Sequence, residues 1–118
     1  MYKPELMSAE VVKNELKDNN DLIIINALAK KYFDDCHICG SINMPLETIE
    51  QDIAKVGLDA KIFLYCANDH CPVSRKAAEC LIKKGYRNVC LYEGGMKEWF
   101  DLGYPCEGPA QEEYLHKK

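Results

Sequence analysis

Short apolar runs that alternate with amphipathic stretches constrain this chain more than any other feature of its sequence. Residues 22–25 and 62–65 are continuous apolar runs. Runs of this length are typical of parallel strands that are buried on both faces. Residues 41–45 and 88–92 are further strand candidates, and helical patterns stand between the strands. The order predicts an α/β fold with a mostly parallel central sheet of about four or five strands flanked by helices.

The stretches between the strands have helical periodicity. Ser8 can cap a helix over about residues 9–17. Apolar residues recur at spacings of three and four over residues 46–56 and again over residues 73–82. Residues 96–103 form a last, short candidate. These helices are long enough to connect parallel strands by crossovers.

The length of the chain limits it to one domain. A chain of 118 residues can bury a single core but is too short for two ordinary domains. We therefore predict one domain over residues 1–106. Residues 107–118 are a polar C-terminal tail that we expect to fray.

The charge and the first residues of the chain exclude several classes of partner. The formal net charge is −4, and the lysines are scattered among carboxylates, so there is no basic stripe for nucleic acid or an anionic membrane. The stretch MYKPELMSAEVV contains neither an apolar signal core nor a run of membrane-spanning length. We expect no nucleic-acid partner, no membrane partner and a cytoplasmic location.

The cysteines are best explained as reduced thiols. Their number is odd, and no signal sequence indicates an oxidising compartment. Cys36, His37 and Cys39 stand close together, but no second pair of ligands follows at zinc-finger spacing, so we expect no metal site. The cysteines are Cys36, Cys39, Cys66, Cys71, Cys80, Cys90 and Cys106.

Cys66 stands where an α/β sheet usually places its chemistry. It follows the predicted strand 62–65, and ligands gather at the carboxyl ends of parallel strands. A cysteine is a nucleophile only as thiolate, and a free thiol with a pKa of about 8.5 is mostly protonated at neutral pH. Backbone N–H groups of Ala67 to Cys71, and the positive end of a helix that begins near Pro72, can stabilise the anion. The alternative is a small residue that packs at the end of a strand.

Several ordered motifs make the chain resemble the rhodanese-like sulfurtransferase domains. The resemblance spans roughly residues 8–106. The family's His-Ile-Pro-Gly-Ala-Ile-Asn-Ile-Pro run is HICGSINMP here, from His37 to Pro45. The other matching segments are Tyr65-Cys66, Lys76-Ala77-Ala78, Gly85-Tyr86-Arg87-Asn88-Val89, Glu93-Gly94-Gly95 and Trp99.

This resemblance implies a rhodanese-like fold with Cys66 in the position of the catalytic cysteine. In that family the cysteine takes a sulfane sulfur from a donor such as thiosulfate, holds it as a persulfide and passes it to a thiol or cyanide. The chemistry implies no metal or organic cofactor. The implied partners are a small sulfur donor, either thiosulfate or a persulfide, and a sulfur-accepting protein. We expect a monomer or a weak dimer.

The loop after Cys66 departs from the family's usual pattern. Ala67 and Cys71 stand where the family has basic residues, and the loop is longer. We predict a cradle that binds the sulfur or the substrate mainly through backbone groups of Ala67, Asn68, Asp69, His70 and Cys71. Arg75 either binds the oxyanion of the donor or lies on the solvent face of its helix.

Cys71 has three competing roles. It is a resolving thiol that attacks a persulfide or sulfenic acid on Cys66, an alternative nucleophile, or a structural residue packed under the loop. Because the loop lacks its basic residues, two further functions stay open. One is a catalytically silent rhodanese-like module that binds a protein or senses oxidants. The other is a thiol redox protein that uses Cys66 with Cys71.

Overall fold

A parallel sheet forms the centre of the protein. The structure is a computed structural model that describes residues 4–18 and 21–117. Residues 1–3, 19, 20 and 118 of the predicted domain and tail lie outside the described residues. Within these ranges all strands of the central sheet are parallel. In spatial order they are β1 (Glu5–Leu6), β6 (Asn88–Leu91), β5 (Lys61–Tyr65), β2 (Ile23–Asn26) and β4 (Ile42–Asn43).

Helices connect the strands, and a second, smaller sheet lies outside the central one. In the small sheet β3 (His37–Ile38) pairs antiparallel with β7 (Cys106–Glu107). Short 3-10 turns cover Ile53–Lys55 and Glu113–His116. The helices are α1 (Ala9–Asp18), α2 (Lys30–Asp35), α3 (Ile49–Asp52), α4 (Val73–Lys83) and α5 (Gly95–Asp101).

The two faces of the central sheet bury separate sets of side chains, because successive strand residues point to opposite faces. Ile62 and Leu64 of β5 pack in one cluster with side chains of α3 and α4. Phe63 and Tyr65 pack in the other cluster with side chains of α1 and α5. The middle strand is therefore covered on both sides, which explains its continuous apolar sequence.

The structure confirms the predicted α/β fold, the mostly parallel sheet and the strand candidates. The hydroxyl of Ser8 accepts a hydrogen bond from the Val11 N–H (3.2 Å), as expected for the cap of the first helix. The helix predicted over residues 46–56 is shorter, since α3 covers only Ile49–Asp52 and a 3-10 turn follows. The sequence analysis did not predict β1, α2, β3 or β7.

The prediction that the C-terminal tail frays is wrong for its described part. The carboxylate of Asp35 accepts hydrogen bonds from the backbone N–H groups of Gln111 (2.9 Å) and Glu112 (3.1 Å). Leu115 is only 1% exposed and packs in the core cluster that contains Tyr65. The polar composition concealed this docking, because backbone N–H groups and a few apolar side chains provide the anchors.

Among the described residues, no helix is both long enough and apolar enough to cross a bilayer.

Candidate functional site

Cys66 lies at the carboxyl edge of the central sheet. It follows β5, which has β2 on one side and β6 on the other. The residue is 1% exposed, and its backbone begins the loop that leads to α4. The structure thus places Cys66 where the sequence predicted, at the end of the most buried strand.

The sulfur of Cys66 contacts the first turn of α4. Its Sγ lies 3.2 Å from Oγ of Ser74 and 3.5 Å from the carbonyl oxygen of Cys71. The backbone N–H of Ser74 also hydrogen-bonds the sulfur. Ser74 is 3% exposed, so this contact excludes water. A thiolate or persulfide anion at this position can accept hydrogen bonds from both groups of Ser74.

The sequence analysis gave no role to Ser74, although a signal for it existed. Ser74 precedes Ala77 and Ala78 by three and four residues, which places it on the buried stripe of α4. A serine on a buried helix face needs a hydrogen-bond partner. Here that partner is the sulfur of Cys66.

Burial above all, and next the neighbouring Cys71 thiol, raise the pKa of the Cys66 thiol to about 11. The hydroxyl and the N–H of Ser74 oppose this shift. The resting thiol is therefore protonated at neutral pH. Ser74 is the group that favours its anion.

The loop uses two of its predicted cradle groups to hold itself together. The side-chain oxygen of Asn68 accepts the His70 N–H (3.0 Å), and the carbonyl of Asn68 accepts the Cys71 N–H (3.1 Å). These N–H groups are therefore directed into the loop and away from the Cys66 sulfur. The His70 side chain is 90% exposed, and its nearest charged partner is Asp69 at 3.4 Å.

Arg75 is occupied by a carboxylate. Its guanidinium forms an ion pair with Glu93, which lies just after β6. The Arg75 side chain is mostly exposed, in agreement with the alternative that it lies on the solvent face of its helix. The pair joins α4 to the segment that precedes α5 at the carboxyl edge of the sheet.

The N-terminus of α5 fixes the start of the loop. The Met96 N–H donates to the carbonyl of Cys66 and the Lys97 N–H donates to the carbonyl of Ala67, both at 2.8 Å. Gly95 makes this approach possible: it has φ +69°, and a Cβ there would lie 2.7 Å from the Cys66 carbonyl oxygen. The second glycine of the Glu-Gly-Gly motif therefore allows α5 to hold the start of the loop.

A buried polar network supports the strand behind Cys66. The hydroxyl of Tyr65 accepts hydrogen bonds from the Ile38 N–H (3.0 Å) and the Asn26 side-chain amide (3.1 Å), and it lies 2.9 Å from Oγ of Ser41. Asn26 stands where the family that the sequence resembles has an aspartate. Its side-chain oxygen accepts the N–H of Leu28 (2.9 Å), so the amide has a structural role here.

An open groove lies beside the loop. It has a volume of about 410 Å³ and runs between Asn68 and Asp69 of the loop and residues 94–102. Asp69, Lys97 and Glu98 contribute charged groups to its lining. Of the predicted loop residues, Asn68 and Asp69 thus face this groove, while Cys71 contacts Cys66.

A second pair of neighbouring thiols lies at the small sheet, where Cys36 directly precedes β3 and Cys106 belongs to β7. Cys36 is fully buried, and the Cys106 thiol lies near it. Burial, the Cys106 thiol and the Asp35 carboxylate raise the pKa of Cys36 to about 12. Cys39 lies beside the carboxylate of Glu107. In the described part of the chain, no group of three or more Cys, His, Asp or Glu side chains is arranged to hold a metal ion.

Comparison with known proteins identifies the family. The family model of the Rhodanese-like domain matches residues 8–102. YqhL of Bacillus subtilis, an uncharacterized protein, is 32% identical over 76 residues, which are 64% of this chain and 59% of YqhL. YrkF of the same organism bears the provisional name of sulfur carrier protein and is 25% identical over 96 residues, or 81% of this chain and 50% of YrkF.

A solved structure has the same fold. The crystal structure of the thiosulfate sulfurtransferase from Pseudomonas aeruginosa superimposes with a TM-score of 0.79 and 24% identity. The match covers 88% of this chain but only 20% of that protein. The chain likewise spans only about half the length of YqhL and YrkF.

Proposed function

We propose, from the premise that this chain belongs to the rhodanese-like domain family, that it carries a sulfane sulfur as a persulfide on Cys66. The donor is a small molecule such as thiosulfate or a persulfide. The acceptor is a thiol, on a small molecule or on a protein, or cyanide. The chain acts in this proposal as a thiol-dependent sulfurtransferase.

One observation carries this proposal: the contact between Cys66 and Ser74. Sγ and Oγ are 3.2 Å apart, and the N–H of Ser74 hydrogen-bonds the same sulfur. A cysteine that only fills space at the end of a strand needs no such donors. A sulfur that becomes an anion needs them, and here they stand in the first turn of α4 where the helix dipole adds to their effect.

The proposed reaction has two displacement steps. The Cys66 thiolate attacks the sulfane sulfur of thiosulfate, the S–S bond of the donor breaks, and sulfite leaves with the electron pair. The proton of the Cys66 thiol passes to water. An acceptor thiolate then attacks the outer sulfur of the persulfide, and Cys66 leaves as a thiolate that Ser74 stabilises.

The relatives support the class of chemistry. YrkF is named as a sulfur carrier, and the similar Pseudomonas aeruginosa protein is a thiosulfate sulfurtransferase. Each shares only part of its length with this chain, so the choice of donor and acceptor is proposed from the site. Each of the donors named above would leave the same group, a sulfane sulfur, on Cys66.

A second candidate function is a redox-sensing or protein-binding module without transfer activity. The observations that favour it are the raised pKa of the Cys66 thiol and the positions of the Arg75 and His70 side chains. Arg75 pairs with Glu93, and His70 extends into solvent beside Asp69. A dianionic donor therefore meets no free guanidinium from the loop in this conformation.

The production of thiocyanate from thiosulfate and cyanide tests the proposal. We expect turnover by the wild-type protein and a loss of at least about a hundredfold in Cys66→Ser, because the nucleophile is removed. The matched control is Cys80→Ser, whose half-buried thiol contacts Glu50 on the other side of α4 and should not affect the rate. Absence of turnover by both the wild type and Cys71→Ser, with thiosulfate and with a persulfide donor, would favour the second candidate.

A further inference from the structure

Cys66 and Cys71 form a loop pair of thiols in which one sulfur is buried and the other is accessible. Cys66 is 1% exposed, whereas Cys71 is half-buried. The Cys71 carbonyl oxygen lies 3.5 Å from the Cys66 sulfur, and the nearby Cys71 thiol helps to raise the pKa of Cys66. The two cysteines are thus already in contact before any sulfur is bound.

The loop between the two cysteines holds this contact. Asn68 binds the N–H groups of His70 and Cys71, which closes the loop into a compact turn. At the other end, the carbonyls of Cys66 and Ala67 are bound by α5. Because both ends are fixed, the Cys71 sulfur meets the Cys66 sulfur far more often than a thiol from solution would.

From this geometry we propose that Cys71 resolves the persulfide on Cys66 and releases its outer sulfur as sulfide. This step rests on the proposed function, because it requires sulfur to be loaded on Cys66 first. It adds a second activity, the reductive release of sulfide, to sulfur transfer. The substrates of the combined activity are a sulfane-sulfur donor and, for repeated turnover, a dithiol reductant.

The resolving step needs no reactant besides the persulfide and the Cys71 thiol. The Cys71 thiol loses its proton to the persulfide, and its sulfur attacks Sγ of Cys66. The bond between Sγ and the outer sulfur breaks, and the outer sulfur leaves as HS⁻ with the electron pair. A Cys66–Cys71 disulfide remains, which an external dithiol reduces by thiol–disulfide exchange and thereby becomes a disulfide itself.

The surroundings of the loop favour release over retention of the sulfur. The outer sulfur of a persulfide on Cys66 has the neutral groups of Ser74 near its attachment point, while Arg75 is held by Glu93. A cation that would stabilise the persulfide as a long-lived anion is therefore directed elsewhere. Leaving as HS⁻ allows the sulfur to reach water past the half-buried Cys71.

A single-turnover experiment with thiosulfate and no added thiol tests the inference. Intact mass and free sulfide are measured together for the wild type, for Cys71→Ser and for the control Cys80→Ser. We expect the wild type and the control to lose two hydrogens and to release one sulfide per chain. Cys71→Ser should instead retain one extra sulfur and release sulfide at least about tenfold more slowly.

The outcomes separate this inference from the proposed function. A stable extra sulfur on both the wild type and Cys71→Ser supports sulfur carriage by Cys66 and overturns the resolving role of Cys71. An extra sulfur that is found on Cys71 in the wild type also overturns it, because the sulfur was then relayed and not released. If Cys71→Ser gains no sulfur from thiosulfate or a persulfide donor, the proposed function itself fails and the inference falls with it.

Discussion

The two pairs of neighbouring thiols in this protein have opposite surroundings. The loop pair, Cys66 and Cys71, lies at the carboxyl edge of the central sheet, where Ser74 offers hydrogen-bond donors to one sulfur. The sheet pair, Cys36 and Cys106, lies at the small sheet, where the Asp35 carboxylate also disfavours an anion on Cys36. Both pairs contain a fully or almost fully buried thiol with a raised pKa.

The difference shows that two neighbouring cysteines do not by themselves make a reactive site. Cys36 has a carboxylate and a second thiol among its neighbours. Burial and both of these groups raise its pKa and so disfavour its thiolate. Cys66 has the same burial, but two groups of Ser74 act in the opposite direction. We therefore assign chemistry to the loop pair and packing to the sheet pair.

Gly95→Ala should disturb the loop that carries Cys66 and Cys71 more than any of the other substitutions predicted below. The new Cβ would lie 2.7 Å from the carbonyl oxygen of Cys66, and φ is +69°. Because neither backbone can move without breaking the bonds to α5, we expect a loss of about 3 kcal/mol in the free energy of unfolding. Urea denaturation measures this, and Gly57→Ala, with nothing within 4 Å, is the control. Equal stabilities for the two variants would contradict the tight approach of α5 to the loop.

The pH dependence of alkylation should distinguish the buried thiol of the loop pair, Cys66, from that of the sheet pair, Cys36. With a pKa of about 11, the thiolate fraction of Cys66 should rise about tenfold for each pH unit between pH 8 and 10. Cys36, with a pKa of about 12, should react more slowly at every pH in this window. Short pulses of iodoacetamide followed by peptide mass spectrometry give both rates. A constant rate for Cys66 across the window would mean that its thiolate is already formed at neutral pH.

Replacement of one thiol in each pair by serine should affect stability unequally. Cys36→Ser places a hydroxyl in an apolar cluster, and we expect a loss of about 2 kcal/mol. Cys71→Ser changes a half-buried loop residue, and the change should stay within about 0.5 kcal/mol. Thermal or urea unfolding at neutral pH measures both. A larger loss for Cys71→Ser would indicate that Cys71 is the structural residue.

The smallest expected effect is that of Ser74→Ala. Loss of the hydroxyl removes one of the two donors that favour the Cys66 thiolate, so alkylation of Cys66 at pH 8 should slow by about fivefold, equivalent to about 1 kcal/mol. The rate for Cys36 should not change. An unchanged rate for Cys66 would show that its hydrogen bond with Ser74 does not stabilise the anion.

Elements with strong local patterns were predictable from the sequence. The continuous apolar run of β5 and the periodic apolar stripe of α4 placed Cys66 and the first turn of the next helix correctly. The last strand of the central sheet was likewise predicted to within one residue, as β6 covers Asn88–Leu91. These elements depend on burial that repeats at a regular spacing, which is visible in one sequence.

The parts that were missed depend on contacts between distant segments. The small sheet pairs Ile38 with Cys106, and strands of two residues carry no periodicity. The tail is docked by the Asp35 carboxylate, whose partners are backbone N–H groups and therefore leave no trace in side-chain composition. The contact of Ser74 with Cys66 was missed for a different reason, because Ser74 lies on the buried face of α4, outside the loop in which the sequence predicted the donors.

The most direct test of the claim that Cys66 carries the sulfane sulfur is to find the residue to which the sulfur is attached. The protein is treated with thiosulfate that carries ³⁵S in the outer position, digested without reductant, and mapped for label. We predict label on the Cys66 peptide in Cys71→Ser and in the double variant Cys71→Ser/Cys106→Ser, and none in Cys66→Ser. Label that persists in Cys66→Ser would contradict the assignment of Cys66 as the sulfur carrier.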